Sequence, residues 1–338
     1  MLSVVAGGFF GDEGKGKVVA YLALSDKVCA AVRVGSVNAG HTVFWGGKEF
    51  KLRIVPSAFV NGGCKLYIGA GSLVRLDVFF REVNTLGVAG RIFVDRNAGI
   101  IEERHVETEV RDEYLRNSIG STLQGVGAAM VDRVMRRLKL ARDFPELSTY
   151  LVDLVDEMWK IINSGGNVLI EGTQGTYLSL YHGTYPYVTS RDTTAAGILS
   201  EVGLGPKYLD EVIVVFKSYV TRVGSGPLPG ELSIDEVINR GWIEKASVTG
   251  RIRRAAPFNH DLAKRAVILN SATQVALTCL DKIFPSSARV KEWSKLPPEA
   301  KKWVEDLEDV VKVPVTLIGT GDDVTHMIDR RKDLGVVT

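Results

Sequence analysis

The 338-residue sequence predicts an α/β protein with a mainly parallel central β-sheet flanked by helices and a P-loop-like nucleotide-binding architecture. Three observations lead there. Short apolar runs alternate with segments of helical spacing, as in a sheet whose strands are joined by crossover helices. Most apolar runs give out into polar, glycine-rich segments, and in such sheets ligands lie outside the carboxyl ends of the strands. The first of these segments, residues 11–17, has the spacing G-x-x-x-x-G-K between a predicted strand and a predicted helix.

The elements run in order along the chain. Residues 2–6 are an apolar run suited to a buried parallel strand. Residues 18–24 suit a helix packed on the sheet, and 28–34 form the next strand, completing a βαβ unit. Residues 150–163 place Leu151, Leu154, Val155, Met158, Ile161 and Ile162 at helical spacing, stopped by Gly165-Gly166. Residues 168–170 are a strand running into Glu171-Gly172-Thr173-Gln174-Gly175. Residues 212–216 and 275–279 are two further strands. Pro297-Pro298-Glu299 opens an amphipathic helix able to bury Trp303, Leu307 and Val310. The last strand, 313–318, feeds Gly319-Thr320-Gly321-Asp322. No repeat, low-complexity stretch or linker interrupts the chain, so residues 1–338 are expected to form a single domain with peripheral subdomain insertions.

Composition narrows the function. Lys and Arg total 42 against 40 Asp and Glu, a net charge of +2 that gives no reason to expect nucleic acid as partner. Three cysteines, Cys29, Cys64 and Cys279, are odd in number and lack a CxxC pair, which argues against a disulfide framework and a thiolate zinc site. No apolar run approaches the ~20 residues that span a bilayer, and the first residues carry no export signal. A cytoplasmic location without a membrane partner is expected.

Two loops carry chemistry. Gly11, Gly14 and Gly16 let backbone N–H groups turn toward phosphate oxygens, and Lys15 and Lys17 can add point charges. Where an ordinary P-loop has a metal-binding hydroxyl, this chain has Val18, so Mg²⁺ needs another oxygen ligand and Asp12 is the nearest carboxylate. The plainer reading is a Gly/Lys-rich surface turn. In Gly35-Ser36-Val37-Asn38-Ala39-Gly40-His41-Thr42, after the second strand, His41 can give up a proton near neutrality and Asn38 can hydrogen-bond a ring edge. His105 and His326 read as surface residues, and His260 is ambiguous. Arg251, Arg253 and Arg254 form a cluster whose guanidinium forks suit a dicarboxylic ligand, the plainer reading being an exposed basic turn.

Together, residues 11–17, Asn38-Ala39-Gly40-His41-Thr42, Glu171 to Thr176 with His182 to Ser190, and Thr249 to Arg254 resemble the adenylosuccinate synthetase family in its compact, archaeal-type version. The resemblance implies GTP-dependent ligation of IMP and L-aspartate to adenylosuccinate through a 6-phosphoryl-IMP intermediate, the first committed step from IMP to AMP. A GTP-binding switch protein without ligase activity is the alternative, and Val18 disfavours it. By resemblance Asp12 removes the N1 proton of IMP, His41 and Lys15 serve the transferring phosphoryl group, and Gln174 contacts the purine. IMP is further met by Asn38, Thr122, Thr189, Arg251 and an Arg136 delivered by the other subunit of a homodimer. GTP is met by Gly11, Glu13, Gly14, Gly16, Lys17, Gly40, Thr42, Arg253, Cys279, Asp281, Gly319 and Gly321. Aspartate falls to Val248, Thr249, Arg251 and Arg253, and Mg²⁺ to Asp12 and the Gly40 carbonyl. Cys279 stands where the family usually has a lysine over the guanine face, which implies weaker or less selective guanine binding.

Overall fold

A computed structural model describes residues 1–246 and 250–336. Among them ten strands form one sheet, in the spatial order Met327–Asp329, Val315–Gly319, Gln274–Thr278, Glu211–Lys217, Leu2–Gly7, Asn167–Glu171, Val28–Arg33, Lys65–Ile68, Ile92–Asp95 and Leu151–Val152. Neighbours run parallel throughout, except that the edge strand Met327–Asp329 is antiparallel to Val315–Gly319. The first strand sits near the middle, with Val5 level with Glu171 on one side and Ile213 on the other. The loops leaving Leu2–Gly7, Val28–Arg33, Asn167–Glu171 and Gln274–Thr278 therefore emerge side by side at one edge, where ligands bind in open parallel sheets.

All six residues of Leu2–Gly7 are buried, as expected of a strand covered on both faces. Its side chains alternate: Val5 joins the apolar layer containing Val18, Val19 and Leu22, whereas Leu2, Val4 and Ala6 join the layer containing Ile198, Val214 and Phe216.

The elements read from the sequence recur with shifted ends. The first helix is Lys15–Ser25, beginning inside the glycine loop because Gly14 adopts a left-handed φ of 84° at its N-cap. The helix read over 150–163 is Leu154–Asn163, since Leu151–Val152 pairs with Ile92–Asp95 at the sheet edge and Asp153 caps the shortened helix. Lys65–Ile68, Ile92–Asp95 and the hairpin His41–Trp45/Lys48–Leu52 had no reading. Cys279 lies beyond its strand, at φ 58°. His105 is not a surface residue: it is buried, its Nδ1 accepts from the Glu102 N–H at 2.9 Å, and its Nε2 lies 3.1 Å from Asp132 Oδ2. Among the described residues no helix is long and apolar enough to cross a membrane.

Candidate active site

The glycine loop is packed so closely that side chains are excluded from its start. A Cβ on Gly7 would lie 2.2 Å from the Gln174 carbonyl oxygen, so the loops leaving Leu2–Gly7 and Asn167–Glu171 interlock backbone to backbone. Glu13 turns inward: its Oε1 accepts from the Phe9 and Gly11 N–H groups at 3.0 and 2.8 Å, and its Oε2 sits 2.6 Å from Lys15 Nζ. The Glu13 side chain thus braces the loop, leaving only its backbone for a ligand. Asp12 is turned the other way by a φ of 60° and lines a cleft of about 400 Å³. Burial pushes the Asp12 carboxyl up, while Arg253, its Nη2 2.8 Å from Asp12 Oδ1, opposes that shift.

His41 lines the same cleft. Its Nδ1 lies 2.5 Å from Glu171 Oε1, and the fully buried Glu171 also accepts from Ser57 N and Oγ at 2.6 and 2.7 Å and from Arg33 Nη1 at 3.1 Å. The ring is oriented through one nitrogen, and its Nε2 is buried with no hydrogen-bond partner among the described residues. Burial and then Arg33 lower the His41 pKa to about 4 against the pull of Glu171. Burial raises the Glu171 pKa, but Arg33, followed by the His41 hydrogen bond, holds it down at about 2. The unliganded imidazole is therefore neutral at pH 7.

Lys15, Asn38, Gly40, Thr122, Gln174 and Thr189 share this cleft with Asp12 and His41. Gln174, at φ 65°, donates through Nε2 to Thr189 Oγ1 at 2.8 Å and to Asn38 Oδ1 at 3.5 Å, tying three of the expected nucleotide contacts together. Arg253 touches the site through Asp12, and its Nη1 bonds Glu244. Burial raises the Glu244 carboxyl, yet Lys217 and Arg253 hold it at about 2. Arg251 is exposed and donates to the Gly120 carbonyl at 2.9 Å, beside Thr122. Val248 and Thr249 lie outside the described residues.

A second cleft of about 390 Å³ lies across the His41–Trp45 strand, lined by Phe44, Asp281, Arg289, Gly321 and His326. Asp281 Oδ1 is buried there without a partner among the described residues. Lys17 is held by two carbonyls: its Nζ donates to that of His326 at 2.8 Å and to that of Gly321, and burial lowers its pKa to about 8. It ties the Gly319 loop to the first helix, and a Cβ on Gly319 would meet its Nζ at 3.1 Å. Thr42 is half-buried on the strand His41–Trp45, whose His41 lines one cleft and Phe44 the other. Cys279 lines neither cleft and packs against the cluster of Tyr219 and Trp242. Arg136 is also outside both, exposed beside Val134 and Met135. Sequence reasoning missed Glu171 as a working residue, along with Arg33, Ser57 and Glu244. Only Glu171 carried a signal, as a carboxylate at the end of an apolar strand.

The adenylosuccinate synthetase family profile matches residues 4–144 and 138–285. The adenylosuccinate synthetase of Archaeoglobus fulgidus is 50% identical over 332 residues, 98% of each chain. That of Methanocaldococcus jannaschii is 48% identical over 336 residues, 98% of this chain and 97% of the relative. Among solved structures, the fully ligated adenylosuccinate synthetase of Plasmodium falciparum shares the fold with a TM-score of 0.89 at 24% identity, over 97% of this chain and 99% of that one. A cyanophage S-2L succinoaminodeoxyadenylate synthetase, bound to dGMP and to dATP as an energy donor, has a TM-score of 0.82 at 25% identity, over 99% and 97% of the two chains. With half of its residues identical to an archaeal relative along nearly the whole length of both, the chain belongs to the adenylosuccinate synthetase family.

Proposed function

We infer that this chain is a GTP-hydrolysing ligase that joins IMP and L-aspartate into adenylosuccinate on the way to AMP. The observation that best supports a working site is the placement of Asp12 and the unpartnered Nε2 of His41 on the wall of one cleft, with Gln174, Asn38 and Thr189 around them. The C6 oxygen of hypoxanthine is a poor leaving group. In the proposed sequence, Asp12 takes the N1 proton, O6 attacks the γ-phosphorus, and GDP departs, leaving 6-phosphoryl-IMP. The amine of aspartate then attacks C6, and inorganic phosphate leaves with the former O6. Lys15 and a protonated His41 balance charge on the transferring group, so catalysis is positioning plus electrostatics.

Before this, Arg253 must let go of Asp12, and a carboxylate of aspartate or a GTP phosphate supplies the replacement anion. Asp281 offers the guanine N1–H and N2–H₂ pair an acceptor, consistent with its unpartnered oxygen. Gly14 and Gly16 supply backbone N–H groups to the phosphates, while the Gly11 N–H stays with Glu13 and shapes the turn. Among the described residues no group of three His, Cys, Asp or Glu could hold a metal. One carboxylate and one carbonyl, Asp12 and Gly40, fit a hard cation that arrives with phosphate oxygens. Mg²⁺ held there would neutralise charge on the γ-phosphoryl group. Val131, Val134 and Met135, at 63, 72 and 53% exposure, suit cover by a second copy, with Arg136 reaching that copy's IMP. Residues 1–338 would act as one domain in the cytoplasm.

The test is purified protein with Mg²⁺, L-aspartate, IMP or dGMP, and GTP or dATP, followed by the absorbance change as the succinylamino product of either nucleotide forms. Product from IMP and GTP is expected; no product, or product only from dGMP, sinks the reading. Arg251→Leu is expected to raise the KM for aspartate about tenfold or more with a smaller effect on that for IMP. Equal rises in steady-state assays would contradict its assignment.

A further inference from the structure

We propose that Arg222 is a fixed positive pole for the 5′-phosphate of the nucleotide in the larger cleft, acting through the cleft wall and not by direct contact. The proposal rests on the active-site reading above and adds a positioning residue to it. Arg222 ends the strand Tyr219–Arg222 and lies on the wall of the cleft, although it is only 1% exposed. Its Nη1 donates to Thr184 Oγ1 at 3.0 Å and to the Pro227 carbonyl at 2.8 Å, and its Nη2 donates to the Tyr187 carbonyl at 2.8 Å. All of these acceptors are neutral. The guanidinium carbon sits 4.5 Å from the centre of the Phe10 ring, and Nε is buried without a partner among the described residues.

Of the other formal charges on this wall, Lys15 and Asp12 have counter-charges, and Glu109 faces the N-terminus of a helix. Lys15 has Glu13 at 2.6 Å and Asp12 has Arg253 at 2.8 Å. Glu109 accepts from the N–H groups of Gly125 and Gly127 at 2.8 and 2.6 Å, at the start of the helix Val126–Val134. Among the described residues Arg222 makes no ion pair with a carboxylate, and burial, then Arg254, lowers its pKa to about 10. A buried cation without a counter-charge is costly, so the cleft is electrostatically incomplete when empty. A phosphate monoester, at nearly two negative charges, completes it. Thr184 and Tyr187, gripped by Arg222, belong to the same run as Thr189, which by the family resemblance is a hydroxyl contact of the IMP phosphate, so the positive pole lies toward that end of the cleft.

The test compares binding of IMP and inosine, which differ only by the phosphate, to wild type, Arg222→Gln and Arg222→Lys by calorimetry, with melting followed by circular dichroism. Arg222→Gln is expected to weaken IMP roughly tenfold or more while inosine changes less than about twofold. Arg222→Lys, which keeps the charge and loses the fork, is expected to retain most of the preference for IMP. Loss of IMP and inosine by the same factor, no loss of either, or failure of both variants to fold would overturn the proposal and make Arg222 a packing residue. Wild type that binds no IMP at all would instead overturn the functional reading on which it rests.

Discussion

Asp12→Asn is expected to lower kcat for adenylosuccinate formation by about 10³-fold while IMP and GTP still bind, because a positioned general base contributes on the order of 10² to 10⁴. Asparagine is the informative replacement. Asp12 sits at φ 60°, a left-handed conformation that asparagine tolerates and alanine does not, so the backbone is preserved and only the proton acceptor is lost. The ion pair to Arg253 goes as well, but Arg253 keeps Glu244 as a partner. Stopped-flow absorbance gives the rate and calorimetry the affinities. A variant within about tenfold of wild type would place the base elsewhere.

His41→Asn is expected to cost about 10²- to 10³-fold in kcat through loss of a donor to the transferring phosphoryl group. The mechanism also carries a pH signature. Burial and Arg33 hold the free imidazole down at about 4, so at pH 7 it is neutral, whereas its proposed role needs the proton on Nε2. An incoming γ-phosphate is an opposite charge beside the ring and raises its pKa. Binding of GTP with IMP should therefore take up a proton at pH values between the free and bound pKa values, and weaken as pH rises through the bound value. Calorimetry in buffers of different ionisation enthalpy reads the uptake directly, and His41→Asn should abolish it. Wild-type binding without uptake would contradict the proposed donor. Glu171→Gln, which keeps the shape but loses the charge that faces Nδ1, is expected to cost about 10- to 100-fold, as for other groups that orient a reacting side chain.

The parallel sheet was legible because its central strands are covered on both faces and so read as unbroken apolar runs: 2–6, 168–170 and 212–216. Three strands at one end of the sheet were not. Lys65–Ile68 and Ile92–Asp95 are four residues long and flanked by no motif, and Leu151–Val152 was absorbed into the helical periodicity of the residues after it. The larger cleft was legible through its loops, since Asp12, Asn38, His41 and Gln174 all lie within a few residues of a strand's end. Partners supplied from far along the chain were illegible. Nothing in the spacing says that Glu171 meets His41 across 130 residues, that Lys17 turns to the carbonyl of His326, or that Arg222 is buried without a counter-charge. Those facts arise from which strands become neighbours, and that is a property of the sheet order.

The proposed chemistry turns on O6 of IMP becoming a phosphate oxygen. IMP labelled with heavy oxygen at C6 is turned over with GTP, L-aspartate and Mg²⁺, and the released inorganic phosphate is analysed by mass spectrometry. The label is expected in that phosphate, one heavy oxygen per turnover. Label found in water, with unlabelled phosphate, would mean that C6 loses its oxygen without phosphorylation and would contradict the roles given to Asp12 and His41.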